Sequence, residues 1–218
     1  MQTRPPVKPD APDIPAELDR PDVGPTLAGT ELECAVVEGV DFSGQRASSV
    51  RFAESRLNRI DLTGAELIAA SLNDVAIAAG SWANVRTKEL RLRRVAFKGV
   101  RMTGADLAYA NFEDVSFVDC KIDLAFFVGA RMTRARFERC GLDEVDWTDA
   151  NLSSVAFDAC SLARTVWTDA FLTTCEMRGC DISGAAHLDR LRGVRMPVAD
   201  VVAAAQDLAA ALGIEILE

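Results

Sequence analysis

Every fifth residue of this chain is apolar over more than two thirds of its length, and that period constrains the fold more than any other feature. The series starts at Leu27, passes through Leu32, Val37, Phe42, Ala47, Phe52 and Leu57, and runs without insertion to Met177 and Ile182. Thirty of its 32 members are large; Ala47 and Thr87 are the exceptions. All three tryptophans and eight of the ten phenylalanines fall on it. Two residues earlier runs a second series of mostly small residues, among them Ala65, Ala70, Val75, Gly80, Ala105, Ala110 and Cys120. Each quintet reads small–polar–large–polar–polar, as in ADLAY from Ala105 and ANFED from Ala110. Neither a helical period of about 3.6 nor a strand period of about 2 produces this pattern. A backbone that turns every five residues does, with one small and one large side chain pointing inward.

Glycine and proline respect the same frame. Eight of the ten glycines between 27 and 182 take the last place of a quintet, where a corner calls for positive φ. Seven of the eight prolines lie in the first 25 residues. A stacked coil donates its N–H groups to a neighbour, which proline cannot do.

These quintets resemble the A(D/N)LXX motif of the pentapeptide-repeat family, and the resemblance covers residues 27–182. It implies an all-β fold, a right-handed quadrilateral parallel β-helix of four quintets per coil and about eight coils. At ~4.8 Å per coil the rod is ~38 Å long. Residues 1–26 then form a proline-rich N-terminal tail, with Ile14 and Leu18 expected over the first coil. Residues 183–218 form a degenerate last coil and a C-terminal capping α-helix. That helix is expected from Pro197 to Gly213, with an apolar stripe of Val198, Val201, Val202, Ala205, Leu208, Ala209 and Leu212 over the last coil. A short extended Ile214–Leu217 follows. Gln45 and Leu90 enlarge the small position where Ala47 and Thr87 shrink the large one. Irregular coils are therefore expected near 45–49 and 80–92, with a bend at the second.

Cys120, Cys140, Cys160 and Cys180 recur every 20 residues in the small inward place. On a coil of 20 residues they form a ladder spanning ~14 Å. A zinc site needs four sulfurs within ~2.3 Å of one point, so the ladder is not one. Parallel side chains suit a disulfide poorly, and cysteine reads here as a small hydrophobe, as does Cys175. Cys34, at an outward place, is the expected reactive thiol.

Chemistry is hard to find in this chain. There is no Ser/His/Asp or Cys/His arrangement, phosphate loop or metal-ligand spacing. The sole histidine, His187, reads as a boundary residue of the cap. The expectation is a non-enzyme without cofactor or metal. Six cysteines with no secretory leader read as reduced thiols of a cytoplasmic protein. No apolar run approaches the ~18 residues of a membrane span. A net charge of -9 and a pI near 4.8 argue against direct nucleic-acid binding.

Function is then expected on the outside of the rod. One candidate is an apolar contact surface of Tyr109, Leu124, Phe126, Val128 and Val166, all at outward places. The other is an acidic surface of Asp143, Glu144, Asp146, Asp149, Asp158 and Asp169. Residues 141–182 carry eight acidic and two basic side chains, against seven basic and one acidic from Asn84 to Arg101. An ordinary solvated surface is the bland alternative for both. The leading reading is a rod-shaped protein-binding scaffold with an unidentified partner. The resemblance to gyrase-protecting members offers an alternative: a DNA mimic that binds a type II topoisomerase, DNA gyrase, and modulates it or protects it from quinolone-type inhibitors. Two coils, ~10 Å, of duplex DNA carry ~6 charges, which matches the net of residues 141–182 and no other part of the rod. In some of those relatives the C-terminal end is the dimer contact, so the helical stripe has pairing with a second chain as its alternative to capping, and a homodimer through that end is compatible with either.

Overall fold

The computed structural model describes residues 4–24 and 26–216. The repeat region is a parallel β-solenoid with four faces, which we number in chain order from the face carrying Leu32. Faces one and two together form a sheet of ten strands. Its long strands are Arg51–Asn58, Ser71–Ala78, Arg91–Lys98, Asn111–Val118, Arg131–Glu138 and Asn151–Asp158. Split strands (Glu31–Glu33 with Val36–Glu38, and Phe171–Thr173 with Glu176–Arg178) complete it at either end. This makes eight rungs joined by seven full turns. Every pairing between these strands is parallel with a 20-residue offset, as in Phe97↔Phe117 and Phe137↔Phe157.

The inward register follows the sequence closely. Of the series from Leu27 to Ile182, only Leu32, Thr87 and Leu172 are not fully buried, and Leu32 and Leu172 lie in the end rungs. Corners explain why the count never slips. The last place of every quintet from Gly29 to Gly184 has φ between 47° and 69°. Glycine is not required there: Arg94, Asp114, Tyr109 and Arg134 adopt the same left-handed conformation. Most corner N–H groups donate to the carbonyl 19 residues on, as Gly64 does to Ala83 and Tyr109 to Val128, both at 2.8 Å. That bond offsets the ~1–2 kcal/mol cost of a left-handed L-residue.

The coils at 45–49 and 80–92 are regular, contrary to expectation. Arg46–Ser48, Glu66–Ile68 and Arg86–Lys88 pair in one three-stranded sheet on face four. The core of this half keeps an apolar cavity of about 20 Å³ among Val37, Phe52, Leu67, Leu72 and Trp82. Gly80 is needed for close approach: a Cβ there would lie 2.3 Å from the Ile60 carbonyl oxygen. From Phe97 onward the core is aromatic. Phe97, Phe117, Phe137 and Phe157 stack at 4.7–5.0 Å on face two. Phe127, Trp147 and Trp167 stack at 4.5 and 5.4 Å on face four.

The two ends are closed by different means. The tail does not lie over the first coil. Asp19 pairs with Ala35, and residues N-terminal to it run back along the outer edge between faces one and two. The amides of Asp13 and Asp10 there donate to the carboxylates of Asp74 and Asp114, at 2.9 and 3.2 Å. It is Val23, not Ile14 or Leu18, that packs against the core. At the other end the solenoid continues through Ala186 and Arg195, which pair with Val166 and Glu176. Face one is replaced there by a 3-10 turn, Leu188–Leu191, which buries both leucines.

The expected single helix is two: α1 (Val198–Ala203) and α2 (Ala205–Ala211), interrupted at Ala204. Asp200 and Asp207 accept the corner N–H groups of Gly179 and Gly184. These carboxylates stand in for the carbonyls of a missing next rung. Gly213, at φ 70°, stops α2, with Ile214 N–H bonded to Ala209. Only Ala204, Leu208 and Ala211 of these helices pack on the core. Val198, Val201, Val202 and Leu212 of the stripe are exposed, because the carboxylates and not the valines face the rod. Ile214 and Ile216 are also exposed; Leu217, the end of the expected extended segment, lies outside the described residues. Among the described residues no helix is long and apolar enough to cross a membrane.

Candidate functional site

Outward places repeat every 20 residues, so each forms a column running up the rod. One column on face four reads Arg46, Glu66, Arg86, Asp106, Phe126, Asp146, Val166 and Ala186. Its corners carry Leu124 and Glu144 on one side and Tyr109, Asp149 and Asp169 on the other. The structure therefore brings the two sequence-derived surfaces together. Tyr109, Leu124, Phe126, Val128 and Val166 all sit on face four or its corners, interleaved with Glu144, Asp146, Asp149 and Asp169. Asp143 lies just beyond, on face three. Asp158 is on face two, across the rod, and does not belong to the surface.

The apolar members stand out from the rod. Tyr109 is 72% exposed, Leu124 and Phe126 48% each, while Val128 and Val166 are half-buried. The Tyr109 ring lies along the corner over Gly129, where a Cβ would come within 2.5 Å of it. Phe171, 63% exposed, faces the same corner three rungs from the tyrosine. Between them runs a shallow groove of about 630 Å³ lined by Asn111, Arg131, Asp149 and Asn151. Phe171 was not among the expected residues. The signal for it was available: Phe126 and Phe171 are the two phenylalanines off the five-residue register.

The acidic residues are less free than their number suggests. Glu144 pairs with Arg164 at 3.0 Å, Asp158 with Arg136 at 2.7 Å and Asp169 with Arg190 at 2.7 Å. Asp143 accepts from Ser161 and from the Ala163 amide. Asp146 accepts from the Thr148 amide at 2.9 Å. Among the described residues Asp149 alone of the six makes no side-chain hydrogen bond or ion pair.

The thiols follow the ladder reading. Cys120, Cys140, Cys160 and Cys175 are buried, Cys180 is half-buried in the last rung, and none of the six is in a disulfide. A hydrogen bond from Cys140 lowers Cys120 and pushes Cys140 up to about 12; Cys160 is pushed up to about 11 by its bond with Cys140. Cys34 is a weaker nucleophile than expected. Its Sγ is 3.5 Å from Glu54, and desolvation and that carboxylate both raise its pKa. Among the described residues no three His, Cys, Asp or Glu side chains converge as a metal site. His187 is exposed, in a left-handed conformation ahead of the 3-10 turn.

Comparison with known proteins agrees with this architecture. Residues 78–147 and 110–187, together half of the chain, match a family profile described as a pentapeptide repeat region. No curated protein sequence matches the chain. Among solved structures it is similar to HetL, a pentapeptide repeat protein involved in heterocyst differentiation regulation from the cyanobacterium Nostoc sp. strain PCC 7120. The identity is 16%, with 80% of this chain and 92% of that one covered and a TM-score of 0.39. It is also similar to a trypsin-treated form of QnrB1, a plasmid-mediated fluoroquinolone resistance protein, at 17% identity, 85% and 99% coverage and a TM-score of 0.35. Rfr23 from the cyanobacterium Cyanothece 51142 matches at 13% identity, 63% and 88% coverage and a TM-score of 0.30. At these values the structural likenesses carry no argument, and the family assignment rests on the profile match.

Proposed function

The chain belongs to the pentapeptide-repeat family, and from that premise we propose that it is a non-enzymatic, cytoplasmic rod that binds another protein through the C-terminal half of face four. The carrying observation is the cluster of Tyr109, Leu124, Phe126 and Phe171, four large apolar side chains exposed on one side of a rod that otherwise buries its apolar residues. A partner presenting apolar side chains rimmed by basic ones suits this surface, because Asp146 and Asp149 sit between the aromatics. The reading requires no cofactor.

Exposed Val198, Val202, Leu212, Ile214 and Ile216 at the C-terminal end suit a second copy of the chain. A homodimer through that end leaves face four open on both protomers. Sedimentation of the wild type against Val198→Asp/Val202→Asp tests it: the dimer reading expects a shift to monomer.

Binding to DNA gyrase as a DNA mimic is the second reading, carried by the acid density of residues 141–182. Ion pairs at Glu144, Asp158 and Asp169, and the position of Asp158 across the rod, leave that charge dispersed and partly neutralised. We therefore rank it second. Affinity capture from native lysate, read by mass spectrometry, separates the two readings. The scaffold reading expects a partner held by wild type and lost with Phe126→Arg, while Ser116→Arg on face two retains it. Inhibition of gyrase supercoiling that is lost with Asp143→Lys/Asp146→Lys/Asp149→Lys supports mimicry instead.

A further inference from the structure

The edge between faces one and two already holds a ligand, and the ligand is the chain's own tail. Along this edge the corner residues are Glu54, Asp74, Arg94, Asp114 and Arg134, one per rung. Each arginine reaches back to the acid one rung earlier. Arg94 contacts both carboxylate oxygens of Asp74 at 2.5 Å, and Arg134 those of Asp114 at 2.6 and 2.7 Å. Asp74 and Asp114 are 3% and 4% exposed, beneath the tail. The arginines leave each carboxylate with acceptor sites to spare, one of which Asn73 uses at Asp74. The tail amides of Asp13 and Asp10 donate to Asp74 and Asp114 at these sites.

The spacing of these bonds is informative. Asp74 and Asp114 lie two rungs apart, ~9.6 Å at ~4.8 Å per rung. Asp13 and Asp10 are three residues apart, and three residues of polyproline II rise ~9.3 Å. The tail carries proline at 6, 9, 12 and 15, and all four are half-buried, while Val7, Lys8, Asp10, Ala11 and Asp13 between them are exposed. Proline at every third place puts the rings on one side of a three-residue helix and the N–H donors at a matching interval. The two lattices, three residues of tail and two rungs of rod, are commensurate. Asp10 and Asp13 each follow a proline, and Asp13 lies close enough to Arg94 to interact with its charge.

We propose that this edge is a binding site for extended proline-rich segments with a Pro–Asp pair at every third residue, and that residues 6–15 are its resident, displaceable ligand. The attachment is light. Among the described residues, the hydrogen bonds from the segment N-terminal to Asp19 to the rod are those of Asp10 and Asp13 alone, beside the half-buried prolines. A preformed polyproline helix loses little entropy on docking, so few contacts suffice, and an equivalent segment of another protein competes against the effective concentration that covalent attachment gives the tail. This site lies diagonally across the rod from the corner between faces three and four and stands independently of the partner proposed for face four.

The test uses the full-length chain, a fluorescent peptide of residues 4–16, and a release variant, Asp10→Pro/Asp13→Pro, which removes both N–H donors while keeping the tail extended. The peptide is expected to bind the release variant at least tenfold more tightly than wild type. A peptide carrying the same two substitutions is expected to bind it at least tenfold more weakly than the natural peptide. In wild type the Asp10 and Asp13 amides are expected to exchange hydrogen more slowly than those of Lys8 and Ala11. Equal peptide binding to wild type and variant, no binding to either, or indifference to the two donors each overturns the proposal. So does uniform exchange along residues 7–13.

Discussion

Face four changes character halfway along the rod. Its N-terminal half, Arg46–Ser48 to Arg86–Lys88, is a regular three-stranded sheet with Ala47, Leu67 and Thr87 inside and mostly charged residues outside. Its C-terminal half is built from tight turns joined by single bridges, with Phe127, Trp147 and Trp167 stacked inside and Phe126, Val128 and Val166 outside. The backbone path is the same; the filling differs. An aromatic stack at native packing density is a stiff support. The exposed apolar cluster stands on that support and not on the looser N-terminal half, where the core keeps a cavity. A contact surface needs side chains held in place, and the interior beneath it provides this.

The largest expected effect is in the stack. Trp147→Ala should destabilise by ~3–5 kcal/mol, read from urea unfolding. A loss as small as that of a surface change would break the comparison. Overpacking comes next. Val115→Ile, in the dense half, should cost ~1–3 kcal/mol. Val37→Ile, beside the cavity, should be neutral or stabilise by up to ~0.8 kcal/mol, the worth of one buried CH₂. Opposite signs for the same chemical change sharpen the contrast; equal losses would erase it. The smallest effect is expected for Asp149→Ala, under ~0.5 kcal/mol, because this exposed acid has no partner to lose.

Strong acid should weaken the tail edge. Arg94 and Arg134 hold the Asp74 and Asp114 carboxyls below their ordinary 3.8. A depressed native pKa gives stability that is fully present above 3.8 and lost as pH falls through the lower native value. Thermal unfolding should therefore be insensitive to these groups from pH 7 to 5 and drop below about 3.8. Arg94→Met should flatten that acid limb.

The solenoid was legible because its core obeys one period: a residue such as Phe137 or Trp147 announces an inward place by its size. Outward places carry no such rule. Asp74 and Asp114 look like any surface acids in the sequence, so the tail's path over them could not be read. The three-residue spacing of Pro6, Pro9, Pro12 and Pro15 was nonetheless present. The acidic grouping of residues 141–182 was read along the chain, whereas the fold distributes it around the rod and sends Asp158 to the far side. The corner glycines suggest a conformational need for glycine, yet Arg94 and Tyr109 meet the same φ with the help of the neighbouring rung. The helical stripe failed because Asp200 and Asp207, by capping Gly179 and Gly184, fix which side of the helices faces the coil.

The claim that the C-terminal half of face four is the protein-binding surface is tested most directly by site-specific photocrosslinking in cells. A benzoylphenylalanine is placed at Val128 or at Ile68, outward positions on the same face in the two halves, or at Ser116 on the opposite face. The account predicts a discrete covalent adduct from position 128 and none from 68 or 116. Adducts of equal yield at all three positions, or at 68 alone, would contradict it.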